Sequence, residues 1–96
     1  MNGADLIKQE RNRQIEEERF GDDIDWRWQN NELLKAAISY ITGSYTFWPW
    51  HEQWYKPKNK VRDLVRAGAL IAAEIDRLQQ LELANKEGED NEPSRA

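Results

Sequence analysis

From Asn59 to Leu83 the chain runs without a proline and with a single glycine, Gly68. Its apolar residues recur at three- and four-residue steps: Val61, Leu64, Val65, Gly68, Ile71, Ala72, Ile75 and Leu78. That spacing predicts one long helix with a continuous apolar side, and Asn59, just after Pro57, supplies a cap for its first turn. The small residues Ala67, Gly68, Ala69, Ala72 and Ala73 leave room for a second helix to come close, so RAGALIAAEI reads as the centre of a helical packing. Gly68 costs a mid-helix position about 1 kcal/mol against alanine, and a close crossing is its expected justification.

Two shorter helices precede it. Residues Ala4 to Arg19 are rich in Lys, Gln, Glu and Arg, with Leu6, Ile7 and Ile15 as sparse apolar positions, so this first helix is expected to exist by docking on the others. Gly21 and the acidic DDID end it. The second helix is expected to begin near Gln29 to Asn31, where an asparagine can cap it, and to run to Thr42 with Leu33, Leu34, Ala37, Ile38 and Ile41 on its inner face. Gly43 supplies a left-handed stop. Nothing reads as a strand, so the class is all-α, a small bundle of about three helices spanning residues 1–84. The polar run NKEGEDNEPSRA then gives an expected disordered tail over 85–96.

A thin core follows from the composition. With 39% hydrophobic and 33% charged residues in 96, a homo-oligomer that completes the core is expected. The absence of cysteine excludes disulfide staples and thiolate chemistry. No apolar run reaches the length of a membrane span or a secretion signal, so a cytoplasmic protein without membrane contact is expected. A net charge of −4 argues against general nucleic-acid binding.

Between the second and third helices, from Gly43 to Lys58, lies a connection longer than helix–helix linkers usually are. It reads GSYTFWPWHEQWYKPK and holds three of the five tryptophans and the only histidine. Much of it is expected to pack on the helices as a satellite core, stiffened by Pro49 and Pro57. Its remaining rings can stack on a base while nearby cations meet anionic groups. The candidate ligand-binding residues are Trp48, Trp50 and Trp54 for stacking, Lys58, Lys60 and Arg62 for anions, and His51 as a hydrogen-bond donor. Trp26 and Trp28, beside Asp22, Asp23 and Asp25, are expected to cover the start of the second helix. That acidic stretch lacks the ligand spacing of a Ca²⁺ loop.

Metal-assisted hydrolysis is the enzymatic alternative, with Mg²⁺ held by Glu32 and Asp63, joined by Glu74 or Asp76. Lys35 stands three residues after Glu32 and Arg66 three after Asp63, so each acid has a base on its own face and the four charges cancel. A serine nucleophile, Ser39 or Ser44 served by His51, lacks a strained turn, and no Gly-rich phosphate loop is present.

The segments ERNRQIEEERFGDD, NELLKAAISYITG, WPWHEQWYKP and RDLVRAGALIAAEIDRL together resemble a group of small proteins encoded by tailed phages and prophages, over roughly residues 9–78. A remoter similarity is to the MazG-like all-α nucleotide pyrophosphohydrolases, whose E-E-x-x-E and E-x-x-D helices hold Mg²⁺ against a nucleoside triphosphate. Here those motifs fall on Asn31, Glu32 and Lys35, then on Asp63 and Arg66, so three of the family's acids are absent and two positions are bases. The resemblance implies a helical scaffold, a nucleotide-sized cleft and a setting of host manipulation or counter-defence. The expectation is therefore a non-enzymatic binding protein whose 43–62 segment meets a nucleotide-like small molecule or a host protein, with no cofactor. A Mg²⁺-dependent pyrophosphohydrolase and an acidic, DNA-mimicking inhibitor are the alternatives.

Overall fold

In a computed structural model the chain forms three α-helices, α1 (Gly3–Glu17), α2 (Glu32–Thr42) and α3 (Lys60–Gly88). Two short 3-10 turns, Tyr45–Phe47 and Glu52–Trp54, lie between α2 and α3. The structure describes residues 1–17 and 31–88, with side chains through residue 85. The expected end of α1 at Arg19, the acidic DDID, Trp26, Trp28 and Gln29 lie outside the described residues, as does the tail from 89 onward. The described part is all-α. No described helix is long and apolar enough to cross a membrane.

Local chemistry fixes the helix ends. Asn59 caps α3 as expected, its Oδ1 accepting the Arg62 N–H at 2.9 Å. The Asp63 carboxylate reaches back to the Lys58 N–H at 2.7 Å, so two backbone donors at the start of α3 are satisfied. Gly43 ends α2 at φ 73°, its N–H bonded to the Ser39 carbonyl at 2.9 Å. The start of α2 differs from expectation. Asn31 sits at φ 64° and makes no side-chain cap, so it serves as a left-handed turn residue, a backbone state that asparagine tolerates better than most. At the other end α3 continues through residues 85–88, which the sequence assigns to the tail: Lys86 and Glu87 are good helix formers and Gly88 marks the end.

Both α1 and α2 pack on α3. The α2–α3 contact is the apolar core, in which Leu33, Ala36, Ala37 and Tyr40 meet Ala67, Leu70 and Ala73. Small residues on both helices let the backbones approach, and this decides which face turns inward. The expected faces are corrected accordingly. On α2, Ala36, Ser39 and Tyr40 are buried while Ile38 and Ile41 are exposed. On α3 the buried side carries Asp63, Val65, Ala67, Ala69, Leu70, Ala73, Glu74 and Arg77, leaving Val61, Leu64, Ile71, Ile75 and Leu78 outside.

The α1–α3 contact is polar where the sequence suggested Leu6, Ile7 and Ile15. Ile7 does dock, directly on Gly68, where an added Cβ would lie 2.6 Å from its Cδ1, so the expected close crossing is there. Ile15 is exposed, and the buried residues of α1 are Glu10, Arg11 and Gln14. Glu10 binds Arg62 at 2.8 Å and Arg11 binds Asp76 at 3.0 Å, which ties the two helices by charge.

Candidate functional site

α1 and α2 lean on different sides of α3, and the 45–58 connection closes the space between them. The result is a cleft of about 770 Å³. Trp48, Trp50, His51 and Trp54 line it from the connection, with Lys56 and Lys58 at its basic end. Tyr40 of α2 and Arg66 and Leu70 of α3 form the floor, and Glu10, Arg13, Gln14 and Glu17 of α1 the opposite wall.

The aromatic wall is rigid because its rings brace each other. Trp48 stands edge-on to Tyr40 at 5.5 Å and to Trp50 at 5.2 Å, and lies 5.0 Å from Tyr55. Its indole Nε1–H donates to the His51 carbonyl at 3.0 Å. The Tyr55 hydroxyl donates to the Ser39 carbonyl, and the Lys56 N–H to the Tyr40 hydroxyl, both at 3.3 Å. Burial pushes the Tyr55 phenol above its ordinary value of 10.0, and Tyr40 and Asp63 act in the same direction, which keeps it a neutral donor. Trp48 and Trp50 thus belong to the satellite core and to the cleft wall at once, while Tyr55 packs against the core without lining the cleft. Trp54 differs, being 59% exposed with the Lys56 ammonium 5.9 Å from its ring centroid. That indole face can accept a stacked ring without unpacking anything.

His51 shapes the turn it opens. Its Nδ1 accepts the Gln53 N–H at 3.1 Å, a bond that leaves Nε2 as the ring nitrogen not used by the turn.

Electrostatics set the cleft apart from the chain around it. Arg13, Lys56, Lys58 and Arg66 face two carboxylates, Glu10 and Glu17, in a protein of net charge −4. The Glu10 carboxylate has no exposed surface. Burial alone would raise its pKa, but hydrogen bonds from Arg13 and the charges of Arg13 and Arg62, with Gln14 adding a further bond, hold it below the ordinary 4.5. Glu10 is therefore ionised and neutralised at neutral pH. Arg66 donates to the Lys56 carbonyl and lies 5.7 Å from the Tyr40 ring centroid. Its Nε and the Oε1 of Gln14 are buried with no hydrogen-bond partner among the described residues.

Of the seven ligand-binding candidates, Trp48, Trp50, His51, Trp54 and Lys58 line the cleft. Lys60 and Arg62 do not. Lys60 Nζ donates to the Ile41 carbonyl at 2.7 Å, fastening α3 to the end of α2, and Arg62 is committed to Glu10. Arg13, Gln14, Tyr40 and Arg66 are cleft residues that the sequence reading missed. Lys56 was within sight, lying in the same basic run. Arg13 and Gln14 were not, because no local pattern tells which side of a polar helix will face a cleft.

The carboxylates of the hydrolytic alternative have other occupations. The pair expected between Asp63 and Arg66 is replaced, Asp63 receiving the Lys58 N–H and Arg66 turning to Lys56 and Tyr40, because the loop backbone lies between them and offers both partners. Glu74 binds Arg77 at 2.7 Å, and Asp76 binds Arg11. Glu32 lies half-buried in the first turn of α2. Among the described residues no group of three or more His, Cys, Asp or Glu side chains gathers as a metal site. Comparisons with protein-family models, curated proteins and solved structures found no match to the chain.

Proposed function

We propose that the protein is a non-enzymatic binding protein whose 45–66 region and α1 together take a nucleotide-like ligand, one with a flat ring and an anionic group. The observation that carries this reading is the composition of the cleft. A rigid aromatic wall ends in the exposed Trp54 indole, and four cations stand over two carboxylates within a volume that suits a small molecule. A base stacked on Trp54 would gain about 1–3 kcal/mol, and Lys56 and Lys58 lie beside it for phosphate or carboxylate oxygens. Binding without turnover is favoured by the state of Glu10, since a carboxylate held ionised between two guanidinium groups is a poor proton acceptor. In the phage setting implied by the resemblance, sequestering a nucleotide signal is the action such a cleft would perform.

Titration with a library of mononucleotides, cyclic nucleotides and dinucleotides, followed by intrinsic tryptophan emission, tests the reading. Saturable quenching that is lost in Trp54→Ala and weakened in Lys56→Glu is expected. A library that leaves emission unchanged at every member would overturn it, and Mg²⁺-dependent release of pyrophosphate would overturn its non-enzymatic part.

A further inference from the structure

The tryptophans are followed by a run of cations at alternate positions, Lys56, Lys58, Lys60 and Arg62, which read along the sequence would suit a chain of phosphates. The fold divides that run in two. Lys56 and Lys58 line the cleft, and among the described residues no carboxylate pairs with either ammonium. Lys60 and Arg62 turn elsewhere, the first to the Ile41 carbonyl at 2.7 Å and the second to Glu10 at 2.8 Å. The part of the run open to a ligand therefore ends at Lys58. Beside the Lys58 backbone stands the Asp63 carboxylate, accepting its N–H at 2.7 Å, a negative charge that repels any further phosphate. The two arginines of the cleft do not extend the run either. Arg13 is shared between Glu10 and Glu17, and Arg66 is fastened to the Lys56 carbonyl and lies against the Tyr40 ring.

We infer, on the premise that the cleft takes a nucleotide, that the anionic group is a single terminal phosphate held between Lys56 and Lys58, so that the ligand class is a nucleoside monophosphate and not a di- or triphosphate. Charge and distance both select it. Four cations facing two carboxylates leave the cleft an excess of two positive charges, and Arg62 and Asp63, just behind its lining, cancel each other. A phosphomonoester carries close to two negative charges at neutral pH, whereas a triphosphate carries far more than this excess can neutralise. The Lys56 ammonium stands 5.9 Å from the Trp54 ring centroid, so the anion it meets is the one joined to the sugar, next to a base stacked on that indole. Pro57, between the two lysines, stiffens the backbone step that separates them. A monophosphate has no phosphoanhydride bond to break, in keeping with a cleft that binds without turnover.

Calorimetric titration of the full chain, in buffer free of divalent metal, with the nucleoside, monophosphate, diphosphate and triphosphate of each common RNA base tests this. For the base that binds, the monophosphate should exceed its nucleoside by about tenfold or more, and the di- and triphosphates should gain nothing further. Lys58→Ala should remove most of the monophosphate's advantage while the affinity for the nucleoside, which reports an intact cleft, stays the same. Lys60→Ala should alter neither. Affinity that climbs from mono- to di- to triphosphate would overturn the inference and leave the nucleotide reading standing, as would a nucleoside that binds as tightly as its monophosphate. Failure of every member of the series to bind would overturn both.

Discussion

Replacing Glu10 by glutamine should show how much of the cleft depends on a charge that no exposed atom reveals. Glu10 accepts from Arg13 Nη2 at 2.6 Å and Nε at 2.9 Å, and from Arg62 Nη2 at 2.8 Å, so it joins α1 to α3 and sets the wall opposite the tryptophans. Removing one member of a buried ion pair costs about 3–5 kcal/mol when the other is left stranded. Arg13 and Arg62 are 32% and 37% exposed and can recover water, and glutamine keeps the shape and one acceptor. The expected loss is therefore about 2–3 kcal/mol at neutral pH. The sign with pH follows from the depressed pKa. The stabilisation is fully present above the ordinary 4.5 and is lost as the pH falls through the lower folded value. Urea unfolding of both proteins at neutral pH and near pH 3 should show a gap that closes in acid, because a protonated Glu10 and a glutamine are then alike. A gap under about 0.5 kcal/mol at neutral pH, or one that persists unchanged in acid, would refute the assignment of Glu10 as the ionised link.

The two tryptophans at opposite ends of the wall should separate stability from binding: Trp48→Ala is expected to cost about 2–4 kcal/mol in urea unfolding through its lost ring contacts, and Trp54→Ala less than about 0.5 kcal/mol. The two asparagines should also behave differently. Asn59→Ala removes a cap and should cost about 1 kcal/mol. Asn31→Gly should be neutral or stabilising by a few tenths, because Asn31 has a left-handed backbone and no cap to lose. Thermal unfolding of both variants checks the contrast. Binding of an anionic ligand should weaken as salt is raised, and Lys58→Ala should reduce that dependence, as read from affinities measured over a range of NaCl.

The helices were legible because their punctuation is local. Gly43, Asn59 and the unbroken run after it act within a turn of where they stand, and the structure places α2 and α3 accordingly. Which side of each helix faces inward was not legible from hydrophobicity. The larger aliphatics of α3 mark one side, yet the core forms on the alanine side, because close backbone approach with Tyr40 and Leu33 outweighs the burial that Ile71 or Ile75 would gain within one chain. The alanine-rich motif held that information. The cleft was half legible. Its aromatic side is contiguous in sequence and was readable, whereas its other wall is built from α1 residues whose inward turn is decided by Arg62, distant along the chain. Trp26 and Trp28, which the sequence places over the start of α2, lie outside the described residues.

The claim on which the functional account turns is that Trp54 and its basic neighbours form a receiving surface while Trp48 and Trp50 serve as its rigid backing. Indole N–H resonances in a ¹⁵N-labelled sample test it directly, since each of the five tryptophans gives its own signal. Addition of a bound nucleotide should shift the Trp54 signal most, and those of Trp48 and Trp50 less, with Trp54→Ala abolishing the response. A nucleotide that binds while leaving the Trp54 signal in place, or that moves only Trp26 and Trp28, would contradict the account.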